Sequence, residues 1–423
     1  MMYQFPEENK FRAREVLEVD FDIRQYTQAS LYVELDIARG SDYRNEMMYL
    51  LGIEEDQLMD MTPSYLKIIF SGHRGCGKSL ELFRIHEYLN SPERYISTFI
   101  DMEKELEIAH FEPEDFFVSI IAQLISLAQA YNLDISFAQL DELAKDWALE
   151  EEEIEKEFAS EKGITVEGEA KAGFSFWKWL SLGIGIKPFF TGSTKTSRKL
   201  REKIKKEPLK LQSRLNELIQ QIREQIRVKH LGRDLLLVFD GTEKIRYDIY
   251  KNLFVNDSFL IRGLNVNMIC AVPINAAYDI QTGVSADSYE RVMLPMFRIT
   301  KNNAPLFTEI VTRRVSQELY FEEDALLEIV HHSGGCPRQL LKIASTAMRK
   351  ALGKKVELPH ARAAIKLLGQ ELFEKLEKAH VDIIRNGNYL HADEDVRELL
   401  FSLAVLKYNG DRKVNPLLKG FIQ

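Results

Sequence analysis

Cysteine is scarce in this chain. The three residues, Cys76, Cys270 and Cys336, lie far apart and without the paired spacing of a metal site. Their number and spacing argue against a disulfide scaffold and for a reducing compartment. Long apolar runs are missing too: none approaches the roughly 18 residues a spanning helix needs. The opening residues, Met-Met-Tyr-Gln-Phe-Pro-Glu-Glu, lack the basic-then-apolar order of a secretory signal, so a cytoplasmic location is expected. Positive charge is in deficit as well. The 56 Lys and Arg against 65 Asp and Glu leave a formal charge of −9, and the whole molecule offers no net attraction to nucleic acid or an anionic membrane. Local patches must be judged separately. What remains, 45% hydrophobic and 29% charged residues over 423 positions, suits a globular protein of about two to four domains.

The most informative stretch is 66–79, Leu-Lys-Ile-Ile-Phe-Ser-Gly-His-Arg-Gly-Cys-Gly-Lys-Ser. An apolar run reads as a buried strand, a glycine-rich turn follows, and Leu80, Leu82, Phe83, Ile85 and Leu89 then recur at helical spacing. Gly72 to Ser79 fit G-x-x-x-x-G-K-[ST] in its strand–loop–helix setting. In such a loop, Gly72, His73, Arg74, Gly75, Cys76, Gly77, Lys78, Ser79 and Leu80 turn backbone N–H groups towards a polyphosphate. The helix N-terminus attracts the negative charge, Lys78 adds a point charge at the outer phosphates, and Ser79 places a hydroxyl on Mg²⁺. ATP and Mg²⁺ are the expected ligands.

A second landmark, Asp-Leu-Leu-Leu-Val-Phe-Asp-Gly-Thr-Glu at 234–243, reads as a buried strand delivering Asp240 at its C-terminal end, where open α/β sheets bind ligands. Asp240 is the second candidate metal contact, with Ser79, and Glu243 is the candidate to orient or deprotonate an attacking water. Residues 94–103 read as another strand, ending in Asp101. Asn267–Val272 and Met293–Ile299 read as two more. Asn275, just past the first, is a candidate sensor of the γ-phosphate or a turn residue. Arg291, just before the second, is a candidate arginine finger for a neighbouring subunit. Arg39, in the lead-in, reads as a nucleotide contact or a surface residue.

The domain reading is a lead-in at 1–60, a core at 61–302 interrupted by an insertion at 132–208, a helical lid at 303–378 and a tail at 379–423. Within the insertion, residues 164–187 alternate apolar and polar with period two, which predicts a β-hairpin. That hairpin suits contact with its own chain, another subunit, a partner or a membrane. The stretch Lys195–Lys210 carries eight Lys and Arg against Glu202 and Glu207, either a solvated helix face or a phosphate-contacting patch. In the lid, Ser333-Gly334-Gly335 stops one helix and Cys336-Pro337-Arg338 opens another. A cation in the first turn of a helix is mildly unfavourable, so Arg338 is expected to meet an anion. The tail, with a turn at Tyr408-Asn409-Gly410-Asp411, suits a small winged helix.

Three landmarks, Gly72–Ser79, Leu235–Asp240 and Ser333–Arg338, together resemble the Walker A, Walker B and sensor-2 motifs of AAA+ or STAND-type P-loop ATPases. The resemblance implies an α/β P-loop NTPase core with a parallel sheet in three layers, the insertion, a helical lid and a winged-helix-like tail. It implies Lys78 and Ser79 on phosphates and metal, Asp240 on Mg²⁺, Arg338 on the γ-phosphate, and a homo-oligomer in which a neighbour completes the site. AAA+ enzymes usually carry Glu directly after the Walker B Asp, whereas Gly241 stands there. This points to slow hydrolysis and to ATP acting mainly as a conformational switch. Two functions are expected from this: a signalling or phage-defence switch recruiting an effector through 132–208, or a DNA-binding ATPase of the origin-recognition kind, using the tail and Lys195–Lys210.

Overall fold

The computed structural model describes residues 3–29, 31–59, 65–105, 110–136, 195–256, 258–282, 288–391 and 393–422. The hairpin expected at 164–187 and most of the insertion around it lie outside the described residues.

The chain enters through helix α1 (Lys10–Val16) and an extended stretch whose alternate residues Leu31, Val33 and Leu35 are buried without pairing into a sheet. Helix α2 (Tyr43–Leu50) follows. The core then sets strand β1 (Lys67–Gly72), helix α3 (Lys78–Leu89), strand β2 (Tyr95–Asp101) and helix α4 (Pro113–Ala130). After the insertion come helices α5 (Lys195–Lys206) and α6 (Pro208–Val228) and strands β3 (Asp234–Asp240), β4 (Asn267–Pro273) and β5 (Glu290–Leu294). The sheet is parallel throughout, in the order β2-β3-β4-β1-β5.

Its strands are apolar on both faces because helices cover both. Along β3, Leu235, Leu237 and Phe239 join a cluster with α4 and α6, while Leu236 and Val238 join the cluster under α2 and α3. Each of these fully buried side chains contributes about 1.5–3 kcal/mol by leaving water. The three-layer α/β class read from the sequence is therefore the class found. Strand β5 starts earlier than the apolar run suggested, because Glu290 and Arg291 pair with Ile68 and Ile69 at the sheet edge.

The second half of the basic stretch is amphipathic. Arg201 is buried and donates to both carboxylate oxygens of Asp115 on α4, at 2.8 and 2.7 Å, and Ile204 is buried beside it. Lys205 lies 3.7 Å from Glu114. Part of that charge is thus used within the chain.

Beyond the sheet stand α7 (Ala304–Thr312), α8 (Glu323–His332), α9 (Pro337–Lys350) and α10 (Leu358–Phe373), and then two further helices, α11 (Lys378–Arg385) and α12 (Glu394–Phe401). An antiparallel hairpin, β6 (Val405–Lys407) with β7 (Arg412–Val414), turns at Tyr408–Asp411 as the sequence indicated. One apolar cluster joins α1, these helices and the tail, through Ala13 and Val16, Phe307 and Leu340, and Leu400, Val405 and Leu418. Helix α1 and the tail are therefore packed onto the same body as α7 to α10.

Candidate nucleotide site

The register of the sheet assembles the site. Asp101 and Asp240 are direct partners at the ends of β2 and β3, and Gly72 is level with Pro273 and Leu294. The loop after β1 therefore opens onto the same edge as both aspartates. Within it, Gly75 has φ +79, and a Cβ there would stand 2.3 Å from the Arg338 Cβ. Only glycine permits both that backbone and that approach. Among the described residues the N–H groups of Gly75, Gly77, Lys78, Ser79 and Leu80 have no protein acceptor. They form an open row of donors where the helix N-terminus concentrates positive potential.

Lys78 is buried, and its ammonium donates to the Gly72 and His73 carbonyls, both at 3.1 Å. Ser79 Oγ donates to Asp240 Oδ1 at 2.9 Å. Asp240 itself is buried. Two further buried polar atoms near the strand ends, Thr242 Oγ1 after β3 and Asn275 Oδ1 after β4, have no hydrogen-bond partner among the described residues. Mg-ATP fits this set. The row of N–H donors and Lys78 match a polyphosphate, the Ser79–Asp240 pair matches a hard cation held through oxygen, and the two orphan atoms lack only a polar guest.

The start of helix α9 packs against the loop. The Arg338 N–H donates to the Gly75 carbonyl at 3.3 Å, and Cys336 Sγ lies 3.5 Å from the same oxygen. The anion Arg338 meets here is Asp20, at 3.8 Å. Burial pushes the Cys336 thiol up to about 12, so it stays protonated. Gly335, with φ +77, passes so close to Phe297 that a Cβ would fall 1.8 Å from its carbonyl oxygen.

His73 ties the loop to the tail. Its Nδ1 is 2.9 Å from the Leu400 carbonyl, which can only accept, and its Nε2 accepts from the Lys407 N–H at 2.7 Å. These contacts require the neutral ring. Burial drives its pKa down to about 3, against the Leu400 hydrogen bond and with help from the Lys78 and Lys407 charges.

The structure brings Gly72–Ser79, Asp240 and Arg338 together and places Asn275 in the first turn of the helix Ile274–Thr282 that follows β4. Arg74 is exposed, Cys76 is buried and Leu80 is half-buried. The backbone of Glu243 lies in the short 3₁₀ turn Thr242–Lys244, directly after Gly241, and its side chain lies outside the described residues. Arg291 is exposed on the edge strand opposite Ile69. At about 3.3 Å per residue it lies well below the loop and does not enter the chain's own site.

Two arginines carried more than their sequence context announced. Arg39 is not a surface residue. Fully buried, it donates to the Cys76 carbonyl at 2.8 Å and the Pro295 carbonyl at 2.7 Å, with its guanidinium 3.6 Å from the Phe297 ring centre. Arg24, from the lead-in, reaches Asp240 and Asp101 across the site. Asp22 is its local partner, but nothing local links Arg24 to the site, since Asp101 and Asp240 lie 77 and 216 residues away.

No family model and no curated protein matches this chain. Solved structures similar to it include the Walker-type ATPase paby2304 of Pyrococcus abyssi, at 16% identity and TM-score 0.38, covering 84% of this chain and 89% of that one. Cdc6p of Pyrobaculum aerophilum is similar at 13% identity and TM-score 0.40, with 94% and 95% covered. The ORC1 protein of Aeropyrum pernix, solved in complex with DNA, gives 14% and 0.39, with 92% and 81% covered. The fold class stands on the chain's own strand order and loop geometry. Among the described residues no helix is long and apolar enough to cross a membrane.

Proposed function

We propose that this chain is a P-loop ATPase of the AAA+ kind that binds Mg-ATP between the sheet edge and the helical lid and hydrolyses it slowly. One observation carries the reading: Ser79 Oγ bonds Asp240 although the strand between them, β4, separates β1 from β3. That topology sets a phosphate loop and a metal-binding carboxylate side by side from distant parts of the chain. The free N–H row and Lys78 would hold the β- and γ-phosphates, and Ser79 and Asp240 the metal. Mg²⁺ bound there neutralises charge on the transferring phosphoryl oxygens. Glu243 is assigned to orient or deprotonate the attacking water, and Asn275 to hydrogen-bond at the γ-phosphate. Arg338 is assigned to exchange Asp20 for the γ-phosphate, so that the lid follows the nucleotide. Arg291 is assigned to a neighbour's site in a homo-oligomer.

For the partner we favour DNA, as in origin-recognition ATPases. Arg198 and Lys206 are exposed on α5, where they could face a phosphate backbone, whereas Lys205 pairs with Glu114. The signalling or phage-defence reading needs an effector on the 132–208 insertion, most of which is outside the described residues.

Titration calorimetry of the full chain with Mg-ATP tests the core proposal. Wild type binds, and Lys78→Ala loses binding at least about tenfold, as expected for losing a charge-assisted contact. No heat and no thermal stabilisation of wild type would sink it. A mobility shift at about 50 mM salt that fades steeply as salt rises tests the DNA reading, and no shift with ATP present removes it.

A further inference from the structure

Arg24 stands in the site without belonging to any of its motifs. It lies in the short 3₁₀ segment Ile23–Ala29, and its guanidinium faces three carboxylates. The contacts are unequal. Nε and Nη2 hold Asp22 at 2.8 and 3.0 Å, the geometry of a two-point fork. The remaining contacts, Nη1 to Asp240 Oδ2 and Nη2 to Asp101 Oδ2, are both 3.4 Å. Asp22 thus fixes the plane of the group and leaves Nη1 with only a long contact, to the carboxylate that Ser79 holds.

The surroundings keep Asp22 ionised for that task. Burial pushes its carboxyl up, but the Arg24 hydrogen bonds and charge outweigh burial and hold it below the ordinary carboxylate range. Lys104 adds a second cation, 3.5 Å from Asp101 and 3.7 Å from Asp22. Arg24 is largely covered, with 18% of its side chain exposed, and its guanidinium carbon lies 5.7 Å from the Phe99 ring centre. A covered, oriented guanidinium beside the metal-binding Asp, with one N–H group only loosely engaged, is a ready anion contact.

We propose that Arg24 binds the terminal phosphate of ATP from within the same chain, with Asp22 as its orienting partner. This rests on the ATPase reading above. The lead-in then supplies the group that tells a triphosphate from a diphosphate. Arg24 reaches for the γ-phosphate from the β2–β3 side, and Arg338 from the lid.

The test is titration calorimetry of the full chain with a non-hydrolysable ATP analogue and with ADP, each with and without Mg²⁺. Wild type prefers the analogue. Arg24→Ala lowers affinity for the analogue about tenfold to a hundredfold, the usual range for one hydrogen bond to a charged group, and leaves ADP affinity near wild type. The loss persists without Mg²⁺, because the contact is to phosphate. Arg24→Lys keeps the charge, loses the fork to Asp22, and falls between the two; it gives the same readout should Arg24→Ala fail to fold. If wild type binds neither nucleotide, the ATPase reading falls and this inference with it. If wild type binds but the folded variants keep its analogue-to-ADP ratio, only this inference falls. Tighter analogue binding by Arg24→Ala also overturns it, since the arginine would then merely block the metal position.

Discussion

Acidification tests the bond between the phosphate loop and the tail through His73. The ring is buried with its pKa near 3, against an ordinary value near 6.5 when unfolded. The folded value is the lower one, so the stability His73 contributes is complete above pH 6.5 and is lost as pH falls from there towards 3. Between pH 7.5 and 5.0 the unfolded imidazole goes from about one-tenth to almost fully protonated while the folded one stays neutral. Linkage then removes about 2 kcal/mol, and at pH 5 the figure barely changes for any folded value below about 4. His86, hydrogen-bonded to Ser97 and lowered to about 4 by burial, acts in the same direction with a similar amount. The assay is urea unfolding followed by far-ultraviolet circular dichroism at pH 7.5, 6.5, 5.5 and 5.0, for wild type and His73→Gln. Gln supplies a group that does not titrate, so the variant should be less stable at pH 7.5 and should close on wild type by about 2 kcal/mol at pH 5.0. Carboxylates titrating in this range are common to both proteins and drop out of the difference. A gap that stays constant within about 0.5 kcal/mol across the series would refute the locked neutral ring.

Three further outcomes follow from other contacts. Gly335→Ala places a Cβ 1.8 Å from the Phe297 carbonyl at φ +77. It should cost about 3 kcal/mol or more, read as a fall in midpoint by calorimetric scanning, and an unchanged midpoint would contradict the close approach. Arg39→Met keeps apolar bulk but strands the Cys76 and Pro295 carbonyls. A loss of about 2–5 kcal/mol in urea, together with weaker nucleotide binding, is the expected pair, and stability equal to wild type would assign Arg39 no bracing role. Glu243→Gln should retain bound ATP while turnover falls at least about a hundredfold, measured as phosphate release per bound nucleotide; full turnover would move the base elsewhere.

Much of the frame was legible because local patterns and tertiary demands coincide. Leu235 to Phe239 is continuously apolar since both faces of β3 are covered, and the Gly72–Ser79 spacing carries its own strand, turn and helix. The turn at Tyr408–Asp411 announced its hairpin in the same way. Other features depend on partners far along the chain. No window around Arg24 contains Asp240, and none around Arg39 contains Pro295, so neither role could be read locally. The basic run was half informative: helical spacing foretold α5, but whether Arg201 faced water or Asp115 depended on α4, whose packing no run of charges encodes.

The apolar cluster that gathers α1, α7 to α10 and the tail hairpin also takes in Ile274 and Phe297, which follow β4 and β5. Leu406 and Tyr408 of the hairpin pack in turn with Ile68 and Phe70 of the sheet. The first helix and the last hairpin therefore share an interior with the strands that carry the phosphate loop, and trimming either would uncover apolar side chains of the other's neighbours.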